Sequence, residues 1–337
     1  MSTSEAPPRP ALLRFGVGAL LACVVPFLPG VNDLAPEARA VSGVAVLTAW
    51  CWLTAALPLP VASLLPAFLL PATGAIPARV VAPWYFHDIL LLFLGGFILA
   101  IALERYNLHR RFALRALSVF GAGPRRVVLG FMVVGAGLSM FVSNTSTALL
   151  MLPVALAVLD RCNEADRAKL TRPMLLGIAY ACSIGGVATP IGTAPNSVLL
   201  GQLRDRFPEA PSIPFGTWFF GTLPLVACFL ACAWFVLVRI VHRVPVESSM
   251  SVEDVREERR TAGRRDSEQN RVLAIFCTVA LLWLTRSGAD FGSLSIPGWQ
   301  SLVPDQVAGT LSDSTVALFG VMLLFLLWFR KGWALRW

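Results

Sequence analysis

The sequence predicts an all-α polytopic membrane protein, and three observations carry that prediction. Of the 337 residues, 56% are hydrophobic and only 14% charged, which is more apolar surface than one soluble core can hide. Blocks of Leu, Val, Ala and Phe recur between short charged loops, without the strand-period alternation of a membrane barrel. Lys and Arg also segregate: 23 fall in loops on one side of the assigned spans and five (Arg39, Arg79, Arg204, Arg206 and Arg286) on the other. By the positive-inside tendency the richer side is cytoplasmic, as is the N-terminus. The expected location is a bacterial inner membrane.

The net charge of +8 does not indicate a nucleic-acid partner, because the basic residues sit in alternate loops and not on one soluble face. The N-terminus lacks the charged start, short apolar core and small-residue cleavage site of a signal peptide, so the first apolar block is expected to be retained. Cys23, Cys51, Cys182, Cys228, Cys232 and Cys277 lie in apolar blocks, Cys162 lies in a basic loop, and no pair has metal-ligand spacing. They are read as small, buried packing residues.

A Pro-rich tail covers residues 1–10. The first span is expected at 11–28, ended by Pro29 and Gly30; the second at 41–57, closed by Pro58 and Pro60; and a short third at 61–70, closed by Pro71. The fourth, 89–103, follows Trp84-Tyr85-Phe86-His87-Asp88, an aromatic cluster suited to the headgroup level. Its Gly95-Gly96 pair admits close approach by a neighbouring helix. Between residues 104 and 123, Leu108, Phe112, Leu114, Leu117 and Phe120 interleave with Arg110, Arg111 and Arg115. That pattern suits an interfacial helix against anionic membrane lipid, the alternative being a solvated loop helix. After a polar loop at 160–172 comes a fifth, interrupted span at 174–203. A sixth span follows at 215–241, a charged cytoplasmic connector at 242–271, a seventh span at 272–284 and an eighth at 315–329. The Gly, Ser and Pro-rich segment 287–314 reads as an external loop.

Two polar interruptions stand out. The run Ser143-Asn144-Thr145-Ser146-Thr147 separates apolar arms at 127–142 and 148–159, each too short to cross a bilayer, which takes about 20 apolar residues. A re-entrant hairpin fits better, with its polar tip near the membrane midplane, where irregular backbone survives only if it lines a cavity or is buried in protein. The second interruption runs from Gly185 to Asn196 and contains Pro190, Pro195 and three glycines, which an α-helix cannot absorb. Broken spans with polar gaps are the best sequence pointer to a transporter binding site.

Carbonyls freed by an unwound helix supply hard oxygen ligands for sodium without burying a carboxylate. Such a site is positive once the cation binds. An anionic solute then has Asn144, the hydroxyls of Thr145 and Thr193, and the helix N-termini at each break as partners. The plain alternative is a pair of Ser/Thr-rich helix kinks whose hydroxyls bond to the preceding turn. Catalysis is not expected, since His87, His109 and His242 all lie outside both interruptions and intramembrane carboxylates are scarce. No enzymatic cofactor is expected.

The stretch HDILLLFLGGFILAIALERYNLHRRFALRAL (87–117), the run SNTSTALLMLP (143–153) and GGVATPIGTAPN (185–196) resemble the divalent anion:sodium symporter family in motif, order and spacing. These are carriers of dicarboxylates, citrate or sulfate, and the similarity covers most of the chain from about residue 40. The resemblance implies two inverted repeats after an extra first helix, each with a re-entrant hairpin and a broken helix. It also implies a homodimer and a transport domain that moves as an elevator. On that pattern 11–104 holds scaffold spans 1–4, 105–123 the interfacial helix, and 124–160 with 161–206 the transport domain. Span six lies in 207–241, the connector at 242–271, and the start of the second repeat at 272–337. Sodium, the coupling ion, would be held by Ser139, Ser143, Asn144 and Gly192. The substrate carboxylate would meet Asn144, Thr145 and Thr193, with Pro195 and Asn196 shaping the loop around it.

Residues 206–337 contain no second SNT run and no second GTxPN loop. The chain is therefore expected to be the N-terminal portion of such a carrier. Two alternatives stay open at this stage, a sodium-independent dicarboxylate exchanger and a truncated, non-transporting membrane protein.

Overall fold

The computed structural model describes residues 9–108, 111–112, 115, 123–245, 266–290, 295–326, 328–329 and 332–333. The regular structure of the described residues is helical apart from two antiparallel pairs of two residues each, Ala289–Asp290 with Ser295–Ile296 and Trp328–Phe329 with Gly332–Trp333. An all-α fold is what the absence of strand-period alternation requires. Two compact units, residues 1–87 and 88–337, make up the chain.

In the first unit α1 (Arg9–Val24) packs on α2 (Pro36–Thr54), and the Trp50 indole donates to the Arg14 carbonyl at 2.8 Å. Pro36 starts α2 five residues before the expected span, because proline suits the first turn, where no amide partner is needed. The expected third span is instead two short helices, α3 (Leu59–Ser63) and α4 (Leu65–Ala72), which meet at Leu64. Pro60 and Pro66 each sit in the first turn of one of them, so the proline spacing that marked an end also makes two starts. The aromatic cluster belongs in part to a further helix, α5 (Ala78–Tyr85), whose Tyr85 hydroxyl donates to the Ser63 carbonyl at 2.8 Å.

The second unit opens with α6 (Asp88–Arg105), followed by α7 (Pro124–Ser139), α8 (Asn144–Leu159), α9 (Glu164–Gly186) and α10 (Ala194–Arg206). Next comes α11 (Phe215–Phe235), which continues as a π-turn over Val236–Val241, and then α12 (Ser267–Thr285). A 3-10 turn (Trp299–Leu302) and the short α13 (Asp305–Ala308) lead to α14 (Asp313–Leu326). One core joins α7, α8 and α9 with the end of α11, and includes the fully buried Met132, Met151 and Leu170. A second joins α6, α12 and α14 around Trp283, which stacks on Phe215 with ring centroids 4.8 Å apart. Gly95 lies so close to Ala317 of α14 that a Cβ there would collide with it, the close approach expected of the Gly95-Gly96 pair.

Several boundaries move from their expected places. The polar loop at 160–172 shrinks, since α9 begins at Glu164 after Asn163, whose side chain accepts the Asp166 amide at 2.8 Å. Asn163 is thus an N-cap, and Pro173 is carried inside the helix. The eighth span ends at Leu326, and Trp328 and Phe329 are extended. Span seven begins at Ser267, where Asp266 and Gln269 form a capping box. Of the cysteines, Cys51 and Cys182 are buried as expected, but Cys23, Cys228, Cys232 and Cys277 are exposed on helix surfaces. A small thiol on an apolar helix is equally at home against lipid, so an apolar block alone does not imply burial. Most of the expected interfacial helix at 105–123 and of the connector at 242–271 lies outside the described residues.

By length and composition two stretches, Ala78–Arg105 and Phe215–Val241, are long and apolar enough to cross a membrane, the first being interrupted at Phe86 and His87. With 16 residues each, α7 and α8 are about 24 Å long, short of a hydrocarbon core of about 30 Å.

Candidate functional site

The first interruption is a tight join between two helices. Helix α7 ends at Ser139 and α8 begins at Asn144, so most of the polar run forms the first turn of α8 and not a loop tip. Ser143 is the N-cap and its hydroxyl accepts the Ser146 amide at 3.2 Å. Ser139 is fully buried and donates from Oγ to Asn144 Oδ1 at 2.5 Å, which ties the end of one helix to the start of the next.

The second interruption is a loop over 187–193, narrower than the expected 185–196 because Gly185 and Gly186 complete α9 and α10 begins at Ala194. Freed backbone must find partners, and its carbonyls can be followed one by one. The Val187 carbonyl accepts from the Trp218 indole at 3.0 Å, and the Ala188 carbonyl, 3.2 Å from the Thr222 hydroxyl, shares that donor with the Trp218 carbonyl at 2.9 Å. Asn196, buried, spends both protons of its amide nitrogen on the carbonyls of Gly186 (2.9 Å) and Thr189 (2.8 Å). Pro190 accepts from Ser197 at 2.7 Å, and Thr193 from the Asn196 amide at 3.1 Å. Among the described residues no donor is bonded to the carbonyls of Ile191 and Gly192, nor to that of Ser139 across the way.

Thr189 joins the two interruptions: its hydroxyl donates to the Met140 carbonyl and accepts the Gly192 amide at 3.0 Å. At the junction, a Cβ placed on Gly186 would stand 2.6 Å from Asn144 Oδ1 and 3.3 Å from the Gly192 carbonyl oxygen. Oxygens from both breaks therefore converge over a position where glycine alone leaves room. The structure brings together Ser139, Asn144 and Gly192 from the expected sodium set, with Ser143 half-buried at the start of α8.

Of the expected substrate set, Thr145 is exposed in the first turn of α8, Thr193 is the half-buried N-cap of α10, and Pro195 is exposed in the first turn of α10. Both protons of the Asn196 amide nitrogen are spent on carbonyls of the loop. Sequence reasoning missed Thr189, Ser197, Trp218 and Thr222. Trp218 and Thr222 lie four residues apart on one face of α11, but nothing local announces that this face meets the loop. The buried charged residues among those described are Glu268 and Arg286, outside both interruptions. Arg286 pairs with Asp313 at 2.6 Å and bonds the Leu311 carbonyl and Gln300, while Asp313 accepts the Phe215 amide at 3.0 Å. Among the described residues no group of three His, Cys, Asp or Glu side chains is placed to hold a metal ion. The ligands on offer are neutral oxygens.

A model of the citrate transporter family matches residues 45–335. The sodium-dependent dicarboxylate transporter SdcS of Staphylococcus saprophyticus is 34% identical over 320 residues, covering 92% of this chain and 59% of that protein. The protein of the same name from Staphylococcus aureus (strain bovine RF122) is 34% identical over 305 residues, 88% of this chain and 56% of that one. The chain thus spans a little over half the length of the curated relatives it matches. With the family model covering most of its length, the chain belongs to the citrate transporter family and is an integral membrane protein of a transporter lineage, not an enzyme.

Proposed function

We propose that the chain forms part of a secondary carrier that moves a small divalent anion, a C4-dicarboxylate such as succinate or else citrate or sulfate, together with sodium. The observation that carries this reading is the junction itself, where Asn144 Oδ1, held by the Ser139 hydroxyl, and the unpartnered carbonyl of Gly192 meet from two helix breaks. Sodium is held there by Ser139, Ser143, Asn144 and Gly192. The anion sits beside it at the N-termini of α8 and α10, which carry partial positive charge, and is met by Asn144, Thr145 and Thr193. Pro195 and Asn196 hold the shape of the loop. Since the ligands are neutral, the bound cation supplies the charge that makes the neighbouring space favourable to a dianion.

In this reading α7 and α8 enter the membrane from the cytoplasmic side and return, the elements of 124–206 move as one transport domain, and the carrier works as a homodimer in a bacterial inner membrane with its N-terminus inside. The relatives' name, sodium-dependent dicarboxylate transporter, supports sodium and dicarboxylate as the cargo. Uptake of labelled succinate into proteoliposomes holding the product of the whole reading frame tests it. Accumulation is expected with an inward sodium gradient and not with potassium. Equal succinate counterflow without sodium would refute coupling and leave an exchanger.

A further inference from the structure

We propose that the hydroxyl of Thr147 is a further oxygen ligand of the alkali cation held at this junction, a role that rests on the sodium site proposed above. Thr147 follows Ser143 by four residues and Asn144 by three, so it shares their face of α8. Its side chain is fully buried, and its Oγ1 has no hydrogen-bond partner. Five other threonines at helical positions behave differently. Thr48, Thr54, Thr73, Thr171 and Thr285 each donate to the carbonyl four residues back, at 2.6 to 2.8 Å. For Thr147 the equivalent acceptor is the Ser143 carbonyl, which accepts the Thr147 backbone amide at 2.9 Å and not its hydroxyl.

A buried hydroxyl left unpaired costs about 1–3 kcal/mol, so this position carries a cost that a valine of the same shape would avoid. Its direction indicates what offsets it. Helical side chains lean toward the N-terminus of their helix, over the preceding turn, and the preceding turn here carries Ser143 and Asn144. The oxygens that converge at the junction, Asn144 Oδ1 and the carbonyl of Gly192, lie at that same end of α8. A hard monovalent cation there needs several oxygens. The Thr147 oxygen offers it a lone pair, while its proton turns to the Ser143 carbonyl, and the isolation of the hydroxyl ends on binding.

The test compares Thr147→Val, which keeps the shape and removes the oxygen, with Thr147→Ser, which keeps the oxygen, in the product of the whole reading frame. The readout is the sodium concentration that half-saturates thermal stabilisation without substrate, measured alongside lithium and potassium. The valine variant is expected to raise it about tenfold, the equivalent of one lost ligand at about 1.4 kcal/mol. The serine variant should stay within about twofold of the wild type, since one hydroxyl replaces another. Should the valine variant fail to fold, Thr147→Ala supplies the same comparison. An unchanged half-saturation without the oxygen makes Thr147 a packing residue and overturns the proposal while the junction site stands. Absence of any sodium-dependent stabilisation in the wild type overturns the site itself.

Discussion

Gly185 and Gly186 are neighbours at the end of α9, and replacing each with alanine should have opposite consequences. At Gly186 the added Cβ would stand 2.6 Å from Asn144 Oδ1, 0.8 Å below the 3.4 Å at which ordinary contact begins. Its next neighbour, the Gly192 carbonyl oxygen at 3.3 Å, is nearly accommodated. The obstacle is thus the end of one side chain, and Asn144 can swing aside. The swing breaks the Ser139–Asn144 hydrogen bond, worth about 1 kcal/mol, while alanine returns up to about 1 kcal/mol of helix propensity. Thermal stability without sodium should therefore change little. The proposed cation site, in contrast, loses Oδ1 from its place, and sodium affinity should fall at least about tenfold, or about 1.4 kcal/mol. At Gly185 the Cβ would overlap the Ala136 backbone of α7, which cannot move without parting the two helices. Overpacking of that kind costs about 1–3 kcal/mol or more. Thermal unfolding of both variants, with and without sodium, separates the two effects. If Gly186→Ala binds sodium with wild-type affinity, Asn144 is not a ligand and the junction is only a helix joint.

Thr145 is exposed in the first turn of α8, so Thr145→Ala should leave stability within about 0.5 kcal/mol yet raise the succinate KM about tenfold through loss of one hydrogen bond to a charged group; an unchanged KM would remove it from the substrate set. Asn196→Ala strips donors from two carbonyls around the loop and should destabilise the protein by about 2–4 kcal/mol, as two unsatisfied groups would, which a melting curve reads directly. Arg286→Met leaves Asp313 without its ion-pair partner in a site where both side chains are under 15% exposed, and should cost about 3–5 kcal/mol. The double variant with Asp313→Leu should recover part of that loss, and a double variant as unstable as the sum of the singles would argue that the two charges act independently.

The helical class and most of the helix positions were legible because membrane helices declare themselves in apolar blocks and in the side on which Lys and Arg collect. Ends were harder wherever proline was ambiguous. Pro58 and Pro60 read as stops, yet a proline is equally a first-turn residue, and with Pro60 opening α3 and Pro66 opening α4 the expected third span resolves into two helices. Asn163 lies in a polar loop pattern but has the side chain of an N-cap, and α9 consequently begins ten residues before the apolar block at 174. The exposed cysteines fail differently: in a chain whose outer surface is itself apolar, hydrophobicity no longer separates inside from outside.

The site was legible as composition and not as selection. Prolines and glycines at 185–196 require a break, and any break frees carbonyls, but which of them stay free depends on donors that sequence does not place beside the loop. Trp218 and Thr222 arrive from α11 to take the carbonyls of Val187 and Ala188, and Asn196 reaches back from α10 to take those of Gly186 and Thr189. A loop unwound merely to be flexible would leave its carbonyls to water. Here each donor removes one alternative, and with Thr189 bound to the Met140 carbonyl the loop is pressed against the α7–α8 joint. The carbonyls left over on the two segments, those of Ile191 and Gly192 on one and that of Ser139 on the other, are then a consequence of where the donors stop. Loosening Trp218 or Thr222 would act on the proposed cation site from outside it, by giving the Val187 and Ala188 carbonyls back to the loop.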